Sequence, residues 1–387
     1  MFRRLAEHFF FVSKNASGVL LMKLQELAKK LNNNLPIELV AEQDNVGLII
    51  GNYDDECEKM TLAYELNKTV LDEALANHSN LVVTYHTPLF HAKKSFTSSA
   101  SRPDPLFDAA RARMNVFAVH TAIDVVKDGL NFDLAVRMGL KNIKVLSPIK
   151  NSLYKVVVFV PSSHLDKVRE AMADAGAGNI GNYSDCSFVV EGKGSFLPSN
   201  SASPYVGEAG KFERVDETRL EMIVAKSLIG SVINEMLKAH PYEEAAYDIY
   251  PLVNDHADLG FGAVGELEEP VLLNDFISHV KETLGLDSMK LSRSPEVKIR
   301  RVALCAGAGV PFYDDAIRDG ADIFITGDVK HHDFREAQPC RTILADATHV
   351  GSEKFAIEVM SKVLRRILSD TISIEMSKSK TINAITI

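Results

Sequence analysis

Residues 44–126 and 299–368 of this chain alternate short apolar runs with stretches of helical spacing, and that alternation restricts the fold more than any other feature. In the first segment "DNVGLIIG", "KMTLAY", "NLVVTYH" and "NVFAVH" read as strands. Between them lies a helix whose apolar positions Val70, Leu71, Ala74 and Leu75 recur at helical spacing, and a second helix in "PDPLFDAARARM". The later segment repeats the arrangement, with "VALCAG", "IFITG" and "TILADA" as buried strands separated by helices. Strands alternating with helices predict an α/β layer sandwich built in two lobes.

The middle of the chain changes character. "SLYKVVVFVPSSHLDKVREAMADAGAG" is a strand, a Pro-Ser-Ser cap and an amphipathic helix ending at Gly176 and Gly178. A Gly/Ser/Pro-rich excursion follows, and then "TRLEMIVAKSLIGSVINEMLKAHPYEEAAYDIYPL" gives strand, helix and strand. The order βαβ…βαβ from near Leu153 to near Leu252 predicts a small ferredoxin-like α+β unit. The outer segments then become two halves of one domain with a guest between them. The boundaries expected are an extension over 1–21, a first half over 22–150, the insert over 151–256 and a second half over 257–387. Two readings stand open for residues 1–21. Arg3, Arg4 and Lys14 with several Phe and the single acid Glu7 suggest an organellar presequence, whereas "MKLQELAKKLNNNLP" makes Met22 a plausible working start. The location expected is cytoplasmic, or mitochondrial if a presequence is present.

Composition excludes several classes. Four cysteines, Cys57, Cys186, Cys305 and Cys340, stand far apart with no C-x-x-C pair, which argues against a disulfide framework or a thiolate zinc site. No apolar run approaches the ~20 residues that span a bilayer. The net charge of −9, from 43 basic and 52 acidic residues without a long block of either sign, disfavours a broad nucleic-acid surface.

The polar residues that can do chemistry collect at the carboxyl ends of the expected strands: His86; His120 with Asp124; Asp328 with His331 and His332; Asp346; and His349 with Glu353. Sites in open α/β sheets form outside such ends. His349 and Glu353 are four apart, so a helix beginning there puts both on one face. A lone histidine at a strand end commonly caps a helix or satisfies a carbonyl, but several converging tips supply what one cannot: imidazole and carboxylate ligands for a divalent metal. Zinc, iron, manganese and magnesium all stay open. Glu353 has two oxygens and is able to bridge two ions ~3.5–4 Å apart. Two further motifs carry alternative readings. "CAGAG" at 305–309 is either a phosphate cradle or room for close helix packing, and "HPYEE" at 240–244 is either a second site or a helix stopped by Pro241.

"AEQDNVGLIIG", "YHTPLF", "HTAIDVVKDGLNFDLA", "TGDVKHHDF" and "DATHVGSE", in that order, resemble the signature segments of the NIF-three-like family, whose bacterial members are commonly labelled GTP cyclohydrolase 1 type 2 homologues. The resemblance runs from about Met22 to near Leu368, and the central stretch is similar to the PII/CutA-like insert of the long bacterial members. It implies a dinuclear metal centre between two lobes of the outer domain and a homohexamer built as a trimer of dimers. His86, Asp124, His349 and Glu353 fall on the family's ligand positions, with Glu353 as the bridge. The family's adjacent histidine pair is here Tyr85-His86, and a phenol of pKa ~10 is a weak ligand, so one metal is expected rather than two. Gln43 stands where the family usually has Trp. His120 and His332 match positions near the pocket and become the expected proton carriers. The function implied is metal-dependent hydrolysis of a phosphoester or nucleotide-type substrate. The competing expectation is a non-enzymatic metal-binding regulatory or adaptor ring with a ligand-sensing insert.

Overall fold

A computed structural model describes residues 13–14, 20–41 and 44–379. Most of the 1–21 extension, and Gln43, lie outside the described residues. The chain forms two compact units, Met1–Ser147 with Phe261–Ile387, and Pro148–Gly260. Among the described residues no helix is long and apolar enough to cross a membrane.

In the discontinuous unit, α1 (Leu24–Asn34) buries Leu24, Leu27 and Leu31, one stripe of an amphipathic helix. β1 (Gly47–Ile50), β2 (Lys59–Ala63), β3 (Leu81–Thr84) and β4 (Asn115–Ala118) then build a sheet. α2 (Lys68–Ala76) is capped by the Asn67 side chain, which accepts from Val70 N at 3.0 Å. α3 (Pro105–Arg111) starts at Asp104 with proline in its first turn. α4 (Leu130–Arg137) and β5 (Lys141–Pro148) complete the first half. β3 and β4 are buried along their whole length, as strands of a parallel sheet covered on both faces must be.

The Pro148–Gly260 unit runs β6 (Leu153–Val160), α5 (Leu165–Asp174), β7 (Ser187–Phe196), β8 (Glu213–Ala225), α6 (Ile229–Ala239) and β9 (Tyr247–Leu252). Its strands pair antiparallel in the order β7-β8-β6-β9. Alternate residues Leu220, Met222 and Val224 of β8, with Val156, Val158 and Val160 of β6, pack against Val168 and Met172 of α5 and Val232 and Met236 of α6.

The second half of the discontinuous unit contributes β10 (Gly260–Leu272), α7 (Leu273–Leu284), β11 (Lys290–Leu291), β12 (Lys298–Leu304), α8 (Tyr313–Arg318), β13 (Ile323–Thr326), α9 (His331–Ala337), β14 (Ile343–Asp346), α10 (Ala356–Leu368) and β15 (Ser373–Met376). β15 returns to the first sheet, whose order is β15-β2-β3-β4-β1. All neighbours there are parallel except β1, which runs against β4. The second sheet has the order β11-β14-β13-β12-β10-β5, with β12, β13 and β14 parallel at its centre. Its core gathers Val264, Ala303, Phe324 and Leu344 against Ala316 and Ala337 from the helices. Phe324 is wholly buried. Phe324→Ala is expected to cost about 3–5 kcal/mol in denaturant unfolding, and a loss under about 1 kcal/mol would mean that this sheet is not the packed core described.

Candidate metal centre

Each sheet sends the carboxyl ends of its parallel strands to one cavity of about 710 Å³ within the discontinuous unit. β3 is followed by Tyr85 and His86, and β4 leads to His120 on a short turn of helix, His120–Asp124. β13 is followed by Asp328 at φ 55°. β14 leads through Thr348, also left-handed at φ 60°, into the single turn His349–Ser352. The long amphipathic helix begins only at Ala356, yet the turn already places His349 and Glu353 on one face, with His349 Nε2 3.1 Å from Glu353 Oε2.

Glu353 is the centre of the arrangement. Its Oε2 also lies 3.2 Å from His86 Nε2 and accepts a hydrogen bond from the Tyr64 hydroxyl. The two imidazole Nε2 atoms are 3.4 Å apart. One donor atom from each of His86, His349 and Glu353 thus lies within 4.8 Å of the others. Ligands bound at ~2.0–2.1 Å around a tetrahedral ion stand ~3.3 Å from one another, so the three atoms have the spacing a single divalent ion requires. Asp328 Oδ2 meets His349 Nδ1 at 2.8 Å and fixes the ring with Nε2 toward the group. Gly307, at φ +65°, sits where a Cβ would come within 2.5 Å of Glu353 Oε1. Room for that carboxylate is the use of the "CAGAG" segment here.

Charge follows from the same contacts. Burial opposes ionisation of Glu353, but His349 and His86 outweigh it and hold the carboxyl at about 2. The bond to Glu353 raises His349 to about 9, against burial and with help from Asp328.

Three of the four expected ligands therefore come together, and the fourth does not join them closely. Asp124 lines the same cavity, but its carboxylate is outside the close group of donors. The Tyr85 hydroxyl donates to Asp124 Oδ1 at 2.9 Å and lies 3.5 Å from Glu353 Oε1, so a fully buried phenol stands between the two carboxylates. Burial, with the charge of Glu353, pushes Asp124 up to about 7, and burial with both acids pushes the Tyr85 phenol well up.

Of the two expected proton carriers, His120 lines the cavity and His332 does not. His332 is exposed in the first turn of α9. Asp346 is also absent from the cavity; its Oδ1 accepts from Thr348 N at 2.8 Å and shapes the turn. Two residues were missed. Tyr64 lies just past β2, so the rule that found His86 applies to it as well. Asp44 precedes β1 and gave no such signal. Because β1 runs antiparallel to β4, the start of β1 meets the end of β4, and Asp44 Oδ2 reaches His120 Nδ1 at 2.6 Å and the Thr121 hydroxyl at 2.5 Å. Burial opposes the charge on both partners, yet the mutual bond holds Asp44 at about 2 and raises His120.

The family model for Duf34/NIF3 (NGG1p interacting factor 3) matches residues 22–384. A Halalkalibacterium halodurans protein named GTP cyclohydrolase 1 type 2 homolog is 36% identical over 87% of this chain and 90% of its own length. A Bacillus subtilis protein of the same name is 33% identical over 89% and 93%. The crystal structure of a Bacillus cereus protein related to NIF3 superposes with a TM-score of 0.82 at 34% identity, covering 95% of this chain and 99% of that one. With its family segments in order and its fold shared along nearly the whole length, the chain belongs to the Duf34/NIF3 family.

Proposed function

We propose that the chain is a metal-dependent hydrolase that holds one divalent cation on His86, His349 and Glu353 and cleaves a phosphoester or nucleotide-type substrate seated in the adjoining cavity. The observation that carries this reading is the spacing of the three donor atoms, 3.1, 3.2 and 3.4 Å apart, at the floor of a cavity large enough for a small molecule. Two nitrogen donors with one carboxylate favour zinc, iron or manganese over magnesium. A bound divalent ion supplies Lewis acidity toward an ester or phosphoryl oxygen.

The chain's own residues supply the rest. Asp44 engages Nδ1 of His120, leaving Nε2 to take or give a proton in the cavity. Phe261 and Phe312 stack with ring centroids 4.7 Å apart in the wall and offer a planar apolar face. Lys93, held by Asp104 at 2.8 Å, is the wall's lysine and faces an anionic group. Tyr85 supports one ion over two, because a phenol pushed up by burial and bonded to Asp124 is a poor ligand. The same reading takes the Pro148–Gly260 unit as the PII/CutA-like ferredoxin insert, supported by its β7-β8-β6-β9 order with two crossing helices, and takes the assembly as a cytoplasmic homohexamer. Light scattering of the purified protein tests the hexamer.

Elemental analysis of untagged protein is expected to find about one metal per chain, falling toward none in His349→Ala and Glu353→Gln, since each removes one of the three donors brought together among the described residues. Wild type without metal after non-chelating purification would overturn the site. Tyr85→His is expected to raise the stoichiometry toward two. His120→Ala should keep the metal but lose about 10²-fold or more in turnover on a panel of phosphoesters and nucleotides; a wild type that carries metal and turns over none of them would point to the non-enzymatic ring.

The Asp44–His120 pair also sets a pH dependence. A carboxyl lowered from 3.8 to about 2 contributes stability above pH 3.8 and loses it as pH falls toward 2. An imidazole raised above 6.5 contributes below pH 6.5 and loses its share as pH rises through the raised value. Asp44→Asn should therefore lower Tm most between pH 3.8 and 6.5, with the gap to wild type closing on either side. A gap that is constant from pH 3 to 9 would show that the pair is not ionised as described.

A further inference from the structure

The Pro148–Gly260 unit contains a cavity of about 320 Å³, walled by the 195–206 segment, by Glu217 of β8 and by the turn that follows α6. That turn is "HPYEE". His240 is committed to the backbone on both ring nitrogens: Nε2 meets Phe159 O at 3.0 Å, and Nδ1 accepts from Tyr242 N at 3.1 Å. The imidazole thus shapes the turn and is not a ligand. Its effect is to present Tyr242, Glu243 and Glu244 to the cavity.

The lining chemistry is one-sided. Tyr205 and Tyr242 lie with ring centroids 5.9 Å apart, tilted by 42°, and Phe196 adds a third aromatic wall. Glu217, Glu243 and Glu244 supply three carboxylates, and among the described residues no lysine or arginine lines the cavity. The wall is also built rather than incidental. Glu243 Oε2 accepts from Ser203 N at 2.9 Å, tying the loop to the turn. Glu217 Oε2 occupies the space left by the missing side chain of Gly194, where a Cβ would come within 1.9 Å of it. A phosphate or nucleotide entering here would meet three like charges with no cation to offset them. Aromatic faces backed by carboxylates suit the opposite ligand, a cation with an apolar shell.

We propose that this cavity is a binding site for a small organic ammonium compound, its charged head against the Tyr205 and Tyr242 rings and facing Glu217, and its apolar body against Phe196. The site is chemically independent of the metal centre. Calorimetric titration of the full-length protein at low salt, with choline and with butylamine, tests it. At least one of the two binds, and the neutral analogue of the one that binds (3,3-dimethylbutan-1-ol for choline, butan-1-ol for butylamine) binds at least about tenfold more weakly. Glu217→Gln and Tyr205→Ala each weaken ammonium binding about tenfold or more, circular dichroism confirming the fold; Tyr205 is half exposed, so its truncation leaves the core untouched. His349→Ala leaves ammonium binding unchanged. Absence of binding by both ammonium compounds at about 10 mM, equal binding of a bound ammonium compound and its neutral analogue, binding of inorganic phosphate or ATP in their place, or retention of full affinity in both variants would each overturn the assignment.

Discussion

A buried carboxylate surrounded by hydrogen-bond donors organises the discontinuous unit. Glu353 is 4% exposed, and isolating such a charge from water is costly unless partners compensate. Here Tyr64, His86 and His349 all address one oxygen, and Gly307 gives up a side chain so that the other oxygen has room. These partners lie just past β2, β3, β12 and β14, so neither sheet supplies the environment alone. Both halves of the chain must fold before Glu353 is satisfied.

That dependence makes the parallel strands of the two sheets more than a scaffold. Parallel strands align their carboxyl ends on one edge, and the residues just past those ends include the left-handed Asp328 and Thr348. Non-glycine residues at positive φ carry a backbone cost, which local bonds offset here: Thr348 N bonds Asp346 Oδ1, and Asp328 bonds His349. The strained turns aim His349 at the centre and then let the chain enter α10.

Tyr85 gives the site its particular character. A hydroxyl bonded to Asp124 and close to Glu353 joins two acids through a neutral group where the family resemblance puts a second imidazole. The Asp44–His120 pair lies beside it on the same cavity, its ring edge-on to Tyr85 at 5.6 Å between centroids. Under the proposed hydrolysis, His86, His349 and Glu353 would hold the ion and the Asp44–His120 pair would carry the proton.

The sequence by itself determined the elements that carry local periodicity. The buried strands, the amphipathic helices, the interruption near residues 150–260 and the strand-end positions of His86, His120, His349 and Glu353 were all legible, because each depends on neighbours a few residues away. Tyr64 was legible by the same rule, since it lies just past β2. Asp44 was not legible, since its partner lies 76 residues on and only the antiparallel direction of β1 brings them together. That His332 lies away from the cavity, and Asp124 apart from the close group of donor atoms, was likewise decided in three dimensions. A sequence states which residues leave a strand, but the direction in which each side chain is aimed depends on the twist, order and mutual approach of sheets that no short window contains.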